Sequence, residues 1–166
     1  MDNSERYRYY KSVFKTASMP FAFVDLDLFD NNVREILARA DGMRIRVASK
    51  SIRCISLLRR ILAASPEFHG LMAYSVREAV FLARKGFDDI LVAYPAWREA
   101  DTADLRGALG EGKKIILTVD CPEHVKHLDS VGGAVDRVIP LCLDLDMSTR
   151  FPGIHFGVYR SPVKEP

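Results

Sequence analysis

The chain has 166 residues, 48% of them hydrophobic and 28% charged, at a mean hydropathy of −0.03. That mixture suits one soluble globular domain with a real core, and 24 basic against 22 acidic residues are too balanced for a nucleic-acid binder or a polybasic membrane anchor. Three cysteines without CxxC spacing argue against a disulfide framework or a structural zinc site, and a charged opening with no apolar run near ~20 residues gives the expectation of a cytoplasmic protein.

The predicted elements alternate. An amphipathic helix over 4–17 forms an N-terminal extension, residues 1–20, ending at Pro20. Residues 21–166 follow as one unit. Strands are predicted from Phe21 (FAFVDLD), Met43 (MRIRVAS), His69 (HGLMA), Asp89 (DILVAY), Lys113 (KKIILTV) and Arg137 (RVIPLCLDLD). Between them, Phe29, Val33, Ile36, Leu37 and Ala40 keep helical spacing behind Asp27 as cap. Ile55, Leu58 and Leu62 mark another helix, and Val76, Ala79, Val80 and Ala83 a third, capped by Ser75 and closed by Gly86. The segments 97–109 and 122–131 carry weaker helical patterns.

Six βα-like units in succession predict a parallel sheet. Strand starts recur about every 23 residues, so eight units need about 186 residues, whereas 146 follow Pro20. Two architectures remain, an open doubly wound sheet and a partial (β/α)8 barrel that is the N-terminal part of a longer protein. Strand chemistry favours the partial barrel. Arg44, Arg46, Ala48 and Lys50 share one face of their strand and Ile45 and Val47 the other; Cys142, Asp144 and Asp146 likewise oppose Leu141, Leu143 and Leu145. Asp25 is expected to pair with Arg46 inside such a barrel.

Lys50 is the most informative residue. It closes the second predicted strand, where parallel α/β folds place ligands, and a desolvated lysine there serves as a Schiff-base nucleophile. The competing reading, a solvated lysine opening a loop, is the commoner one on position alone. Tyr94 ends the fourth strand and either lines a pocket or packs. His124 and His127, three apart without a third ligand, read as surface residues. Cys54 and Cys142 read as packed or idle thiols rather than nucleophiles, and Arg160 has no geometric role assigned. The basic stretch from Arg44 to Arg60 lacks interleaved stacking aromatics, against nucleic acid as a partner.

Three motifs carry a family resemblance. They are PFAFVDLD from Pro20 with Asn32 and Val33, RIRVASKS from Arg44 to Ser51, and Ser75-Val76-Arg77-Glu78-Ala79 followed by Gly86 to Pro95 (GFDDILVAYP). Together they resemble the N-terminal barrel of the fold-type III pyridoxal-phosphate enzymes, those of the alanine racemase type and, more closely, the D-threonine aldolase and D-serine dehydratase group. The resemblance implies pyridoxal 5'-phosphate as cofactor, a small amino-acid substrate, and lyase or isomerase chemistry (aldolase, deaminase/dehydratase or racemase). It implies Lys50 as the Schiff-base residue, Arg150 near the cofactor and a homodimer in the full-length protein; Arg46, on the polar face with Lys50, and Tyr94, at its strand end, are the further cofactor-binding candidates. Asp146 to Arg150 matches the family's arginine-bearing motif one residue short and without its glycine. Ala48 and Ile52 stand where relatives often carry histidines, and the group's metal-binding pair belongs to a C-terminal domain beyond these residues. Gly132-Gly133 precedes the last strand, so no phosphate cup is expected and the chain alone is expected to hold the cofactor weakly or not at all. Two other readings compete: a non-catalytic pyridoxal-phosphate carrier, and an open-sheet domain for a phosphorylated ligand with Lys50 as an electrostatic contact.

Overall fold

Residues 1–132 and 138–165 are described by a computed structural model. It divides into two units, Met1–Ile36 and Leu37–Pro166.

In the first unit, α1 (Asn3–Val13) begins at a reciprocal cap. Asp2 Oδ1 accepts the Glu5 amide at 2.8 Å and Glu5 Oε2 accepts the Asp2 amide at 2.9 Å. Phe14, Phe21 and Phe23 cluster with Tyr10; the Phe14 and Phe23 centroids are 4.5 Å apart. The segment 21–25 forms no strand. Its alternating pattern meets no ladder partner among the described residues, and Asp25 instead starts α2 (Leu26–Ala40) by accepting the amides of Asp27 at 3.0 Å and Leu28 at 3.1 Å. Asp25, not Asp27, is therefore the cap. The expected Asp25–Arg46 pair is also replaced. Asp25 accepts from the Tyr10 hydroxyl, and Arg46 binds Asp89.

The second unit is a parallel βα sheet in the order β1-β2-β3-β4-β5, formed by Ile45–Ala48, Phe68–Ala73, Ile90–Val92, Ile115–Val119 and Leu141–Leu143. The helices between them are α3 (Ser49–Ile52), α4 (Ile55–Ala64), α5 (Val76–Arg84), α6 (Glu99–Gly110) and α7 (Pro122–Gly132). Five parallel strands thus stand where six were expected; the last begins at Leu141, and the expected start at Arg137 lies outside the described residues. The order, with each strand beside its chain neighbour, is that of a partial (β/α) barrel.

Register explains the two faces. Val47, Leu71, Ile90 and Ile115 are cross-strand partners in one row, and Ala73, Val92 and Leu117 in the next. All but Val47 are fully buried, packed with Leu58, Val76, Ala79, Val80 and Leu105 of the helices. The opposite face carries Arg46, Ala48, Gly70, Met72, Leu91, Ile116, Thr118 and Cys142. This mixed face is the one a barrel turns inward. α5 follows the sequence signals closely: Ser75 Oγ accepts the Glu78 amide at 3.3 Å, and Gly86, at φ 91°, receives the chain past the last turn.

Beyond β5 a hairpin pairs β6 (Thr149–Phe151) with β7 (Ile154–Phe156). Gly153 at φ 80° permits its tight turn.

Candidate functional site at the carboxyl ends of β1 to β3

Lys50 does not sit on the strand. β1 ends at Ala48, and Lys50 is the second residue of the single turn α3. The register also shifts between Ile45 and Arg46, so the alternation that put Arg44, Arg46 and Lys50 on one side does not run through the segment. The Lys50 side chain is exposed, not desolvated as its expected strand position implied.

The turn bearing Lys50 is nevertheless pinned. Ser49 is 2% exposed; its hydroxyl lies 2.7 Å from Glu78 Oε1 and 3.0 Å from the Met72 carbonyl. Glu78 Oε2 accepts the Tyr74 amide at 2.7 Å. One carboxylate thus ties the start of α5, the end of β2 and the Lys50 turn together. Glu78 belongs to a motif that the sequence singled out, but its contact with Ser49 spans 29 residues and leaves no local signal.

A cavity of about 70 Å³ opens beside Lys50 at the carboxyl ends of β1, β2 and β3. Ala48, Ala73 and Ala93 give it a low floor, Tyr74 and Tyr94 give it aromatic walls, and Arg160 supplies a cation. The two tyrosine rings are 5.1 Å apart. The Arg160 guanidinium lies 4.5 Å from the Tyr94 centroid, donates to the Ala93 carbonyl and pairs with Asp144 at 3.0 Å. Stacking on Tyr94 and the pairing with Asp144 hold its planar head in place. Lys50 also lines a second cavity, of about 580 Å³, bordered by Arg53, Cys54, Leu58, Glu78 and Phe81.

Of the predicted site residues, the structure brings Lys50 and Tyr94 together. Arg46 is engaged elsewhere. Its guanidinium pairs with Asp89 Oδ1 at 2.6 Å and donates to the Asp89 and Leu71 carbonyls, at the amino end of β3. Arg150 lies on β6, where it donates to the Tyr159 hydroxyl; it does not line the Lys50 cavity. Arg160, without a role in the sequence reading, takes the cavity position instead. Its contact with Ala93 bridges 67 residues. His124 and His127 are half-buried against Trp97, not surface residues.

The lining suits pyridoxal phosphate at its reactive end: an amine for the aldehyde, aromatic walls for a planar ring and a fixed cation for an anionic group. Of Gly132-Gly133, residue 133 lies outside the described residues. No helix among the described residues is long and apolar enough to cross a membrane.

Two solved structures share the fold. One is D-threonine aldolase from Filomicrobium marinum, at TM-score 0.68 and 20% identity over 76% of this chain. The other is a histidine-to-alanine variant of D-threo-3-hydroxyaspartate dehydratase, at TM-score 0.70 and 19% identity over 83% of this chain. The chain spans about a third of their lengths, 34% and 36% respectively. No curated protein matches the sequence. Residues 24–158 match the family described as alanine racemase, N-terminal domain. With its partial barrel and the ligand-end cavity beside Lys50, the chain belongs to the alanine racemase N-terminal domain family and has the fold of the fold-type III pyridoxal-phosphate enzymes.

Proposed function

We propose that the chain is the cofactor-holding barrel segment of a pyridoxal-phosphate-dependent enzyme acting on amino acids, with Lys50 as the residue that takes the cofactor's aldehyde. The observation that carries this reading is the meeting of the Lys50, Tyr94 and Arg160 side chains in one cavity at the carboxyl ends of β1 to β3. When bound, the cofactor supplies the electron sink for breaking a bond at the amino acid's α-carbon.

The chain's own residues supply the rest. The Lys50 amine, free of hydrogen bonds and ion pairs with described residues, can accept or deliver a proton at the α-carbon from its own side of the substrate. Arg160, held on Tyr94, orients an anionic group of cofactor or substrate. Tyr74 and Tyr94 pack against a flat ring and shield it from water. Likeness to the aldolase and the dehydratase favours cleavage or elimination on a D-amino acid over racemisation.

The direct test is borohydride reduction of the chain after incubation with pyridoxal phosphate, followed by peptide mapping. Label on Lys50, absent in Lys50→Ala, is the expected result. Label confined to other lysines, or none at saturating cofactor, refutes the assignment. Label on Lys50 without turnover of any D- or L-amino acid by a longer version of the protein would favour the carrier reading.

A further inference from the structure

At the carboxyl end of β4 the structure gathers Asp120, Cys121 and His124, each offering one ligand atom, with all three atoms within 4.8 Å of one another. We propose that these residues form a binding site for a zinc-like divalent cation. The site is separate from the Lys50 cavity and does not depend on the function proposed for it.

Local sequence makes the cluster. Asp120 leaves β4, Cys121 occupies the junction and Pro122 opens α7, so His124 falls in the first turn of that helix. Three donors within five residues need almost no chain closure, and their spacing is fixed by one strand-to-helix turn. Asp120 and His124 are 15% and 17% exposed, and Trp97 meets the His124 ring edge-on at 5.5 Å, holding its plane.

The decisive detail is at the imidazole. His124 Nδ1 lies 2.8 Å from Asp120 Oδ1, yet this buried nitrogen has no hydrogen-bond partner. A buried ring nitrogen left unpaired is costly. The contact is close enough for an ion pair but lacks hydrogen-bond geometry, so the two atoms converge side by side as two ligands of one ion do. Sulfur, nitrogen and carboxylate oxygen together are a zinc donor set, and donors around a tetrahedral zinc are ~3.5 Å apart, between the 2.8 Å of the His124–Asp120 pair and the 4.8 Å limit of the cluster. Thiolate and carboxylate carry two negative charges, which a divalent cation neutralises while the imidazole stays neutral. Binding forms the metal–sulfur bond and releases the thiol proton to solvent. Three protein ligands leave the fourth position to water.

Cobalt(II) and zinc(II) titrations of the full chain test the site. The expected result is one saturable cobalt per chain with sulfur-to-cobalt charge-transfer absorption, displaced by zinc. Cys121→Ser should abolish that absorption, and Asp120→Asn and His124→Gln should each weaken binding at least about tenfold. A Cys54→Ser/Cys142→Ser background leaves Cys121 as the only thiol, so zinc should slow its alkylation there even if a ligand variant fails to fold. Absence of saturable cobalt–thiolate absorption, equal affinity in folded Cys121→Ser and His124→Gln, or unprotected Cys121 would each overturn the site. Any of these would leave a simple His124–Asp120 ion pair.

Discussion

Ser49 and Glu78 join the turn that carries Lys50 to the first turn of α5, hydroxyl to carboxylate at 2.7 Å. The bond matters because α3 has only four residues and cannot hold Lys50 by its own helical hydrogen bonds. Glu78→Ala strands the Tyr74 amide and leaves the Ser49 hydroxyl only the Met72 carbonyl as partner, and should cost about 1–2 kcal/mol. Glu78→Gln, which keeps one acceptor, should cost less. Urea denaturation of the two variants against the parent checks the order.

Gly70 is required by the Asp89 carbonyl and by Arg46 together. A methyl group there would meet the Arg46 guanidinium at 2.6 Å and run into the Asp89 carbonyl, which is backbone and cannot swing away. Gly70→Ala should therefore destabilise by about 1–3 kcal/mol. In an Arg46→Met background the penalty should shrink only in part, because the Asp89 carbonyl remains. A double-mutant cycle separates the two contributions.

Asp89 should titrate below the ordinary carboxylate range. Burial pushes its carboxyl up, but hydrogen bonds from Arg46 and Lys114 outweigh that and leave it lowered. A carboxylate lowered in the folded state gives stability that is present above its unfolded value of about 3.9 and lost as pH falls through the folded one. Asp89→Asn should lose stability at neutral pH and show a flatter acid limb, read from urea midpoints between neutral pH and pH 3.

Asp146 gives the same sign with a defined window. The Lys164 ammonium, then the Ser148 hydroxyl, hold its carboxyl down to about 2. Its stabilising contribution should fade as pH drops from about 4 toward about 2, since the unfolded chain binds the proton first. Carboxyl-carbon NMR should find the Asp146 resonance still titrating below pH 3, and Lys164→Met should return it toward the ordinary range.

Arg160 should matter to anion binding and to little else. Arg160→Met should slow or weaken pyridoxal-phosphate capture at Lys50 about tenfold, or ~1.4 kcal/mol. Arg160→Lys should recover only part, because an ammonium cannot lie flat on Tyr94 while bonding Ala93 and Asp144. Absorbance titrations with the cofactor measure both.

The sequence by itself determined the alternation of strands and helices, the Ser75 cap and Gly86 stop of α5, and the split between an apolar and a mixed strand face. These are near-neighbour properties, written in spacings of two to four residues. Tertiary structure decided the pairings. FAFVDLD has strand periodicity, yet a strand needs a ladder, and Asp25 spends its carboxylate on the amides that open α2. Arg46 could be placed on a polar face but not assigned to Asp89, 43 residues on, because that depends on the bulge in β1 and the strand order β1-β2-β3. Arg160 reaches Ala93 only because Leu141–Leu143 completes the described sheet and the chain returns past the hairpin to the strand ends. Contacts over such separations are fixed by register and topology, which no local pattern encodes.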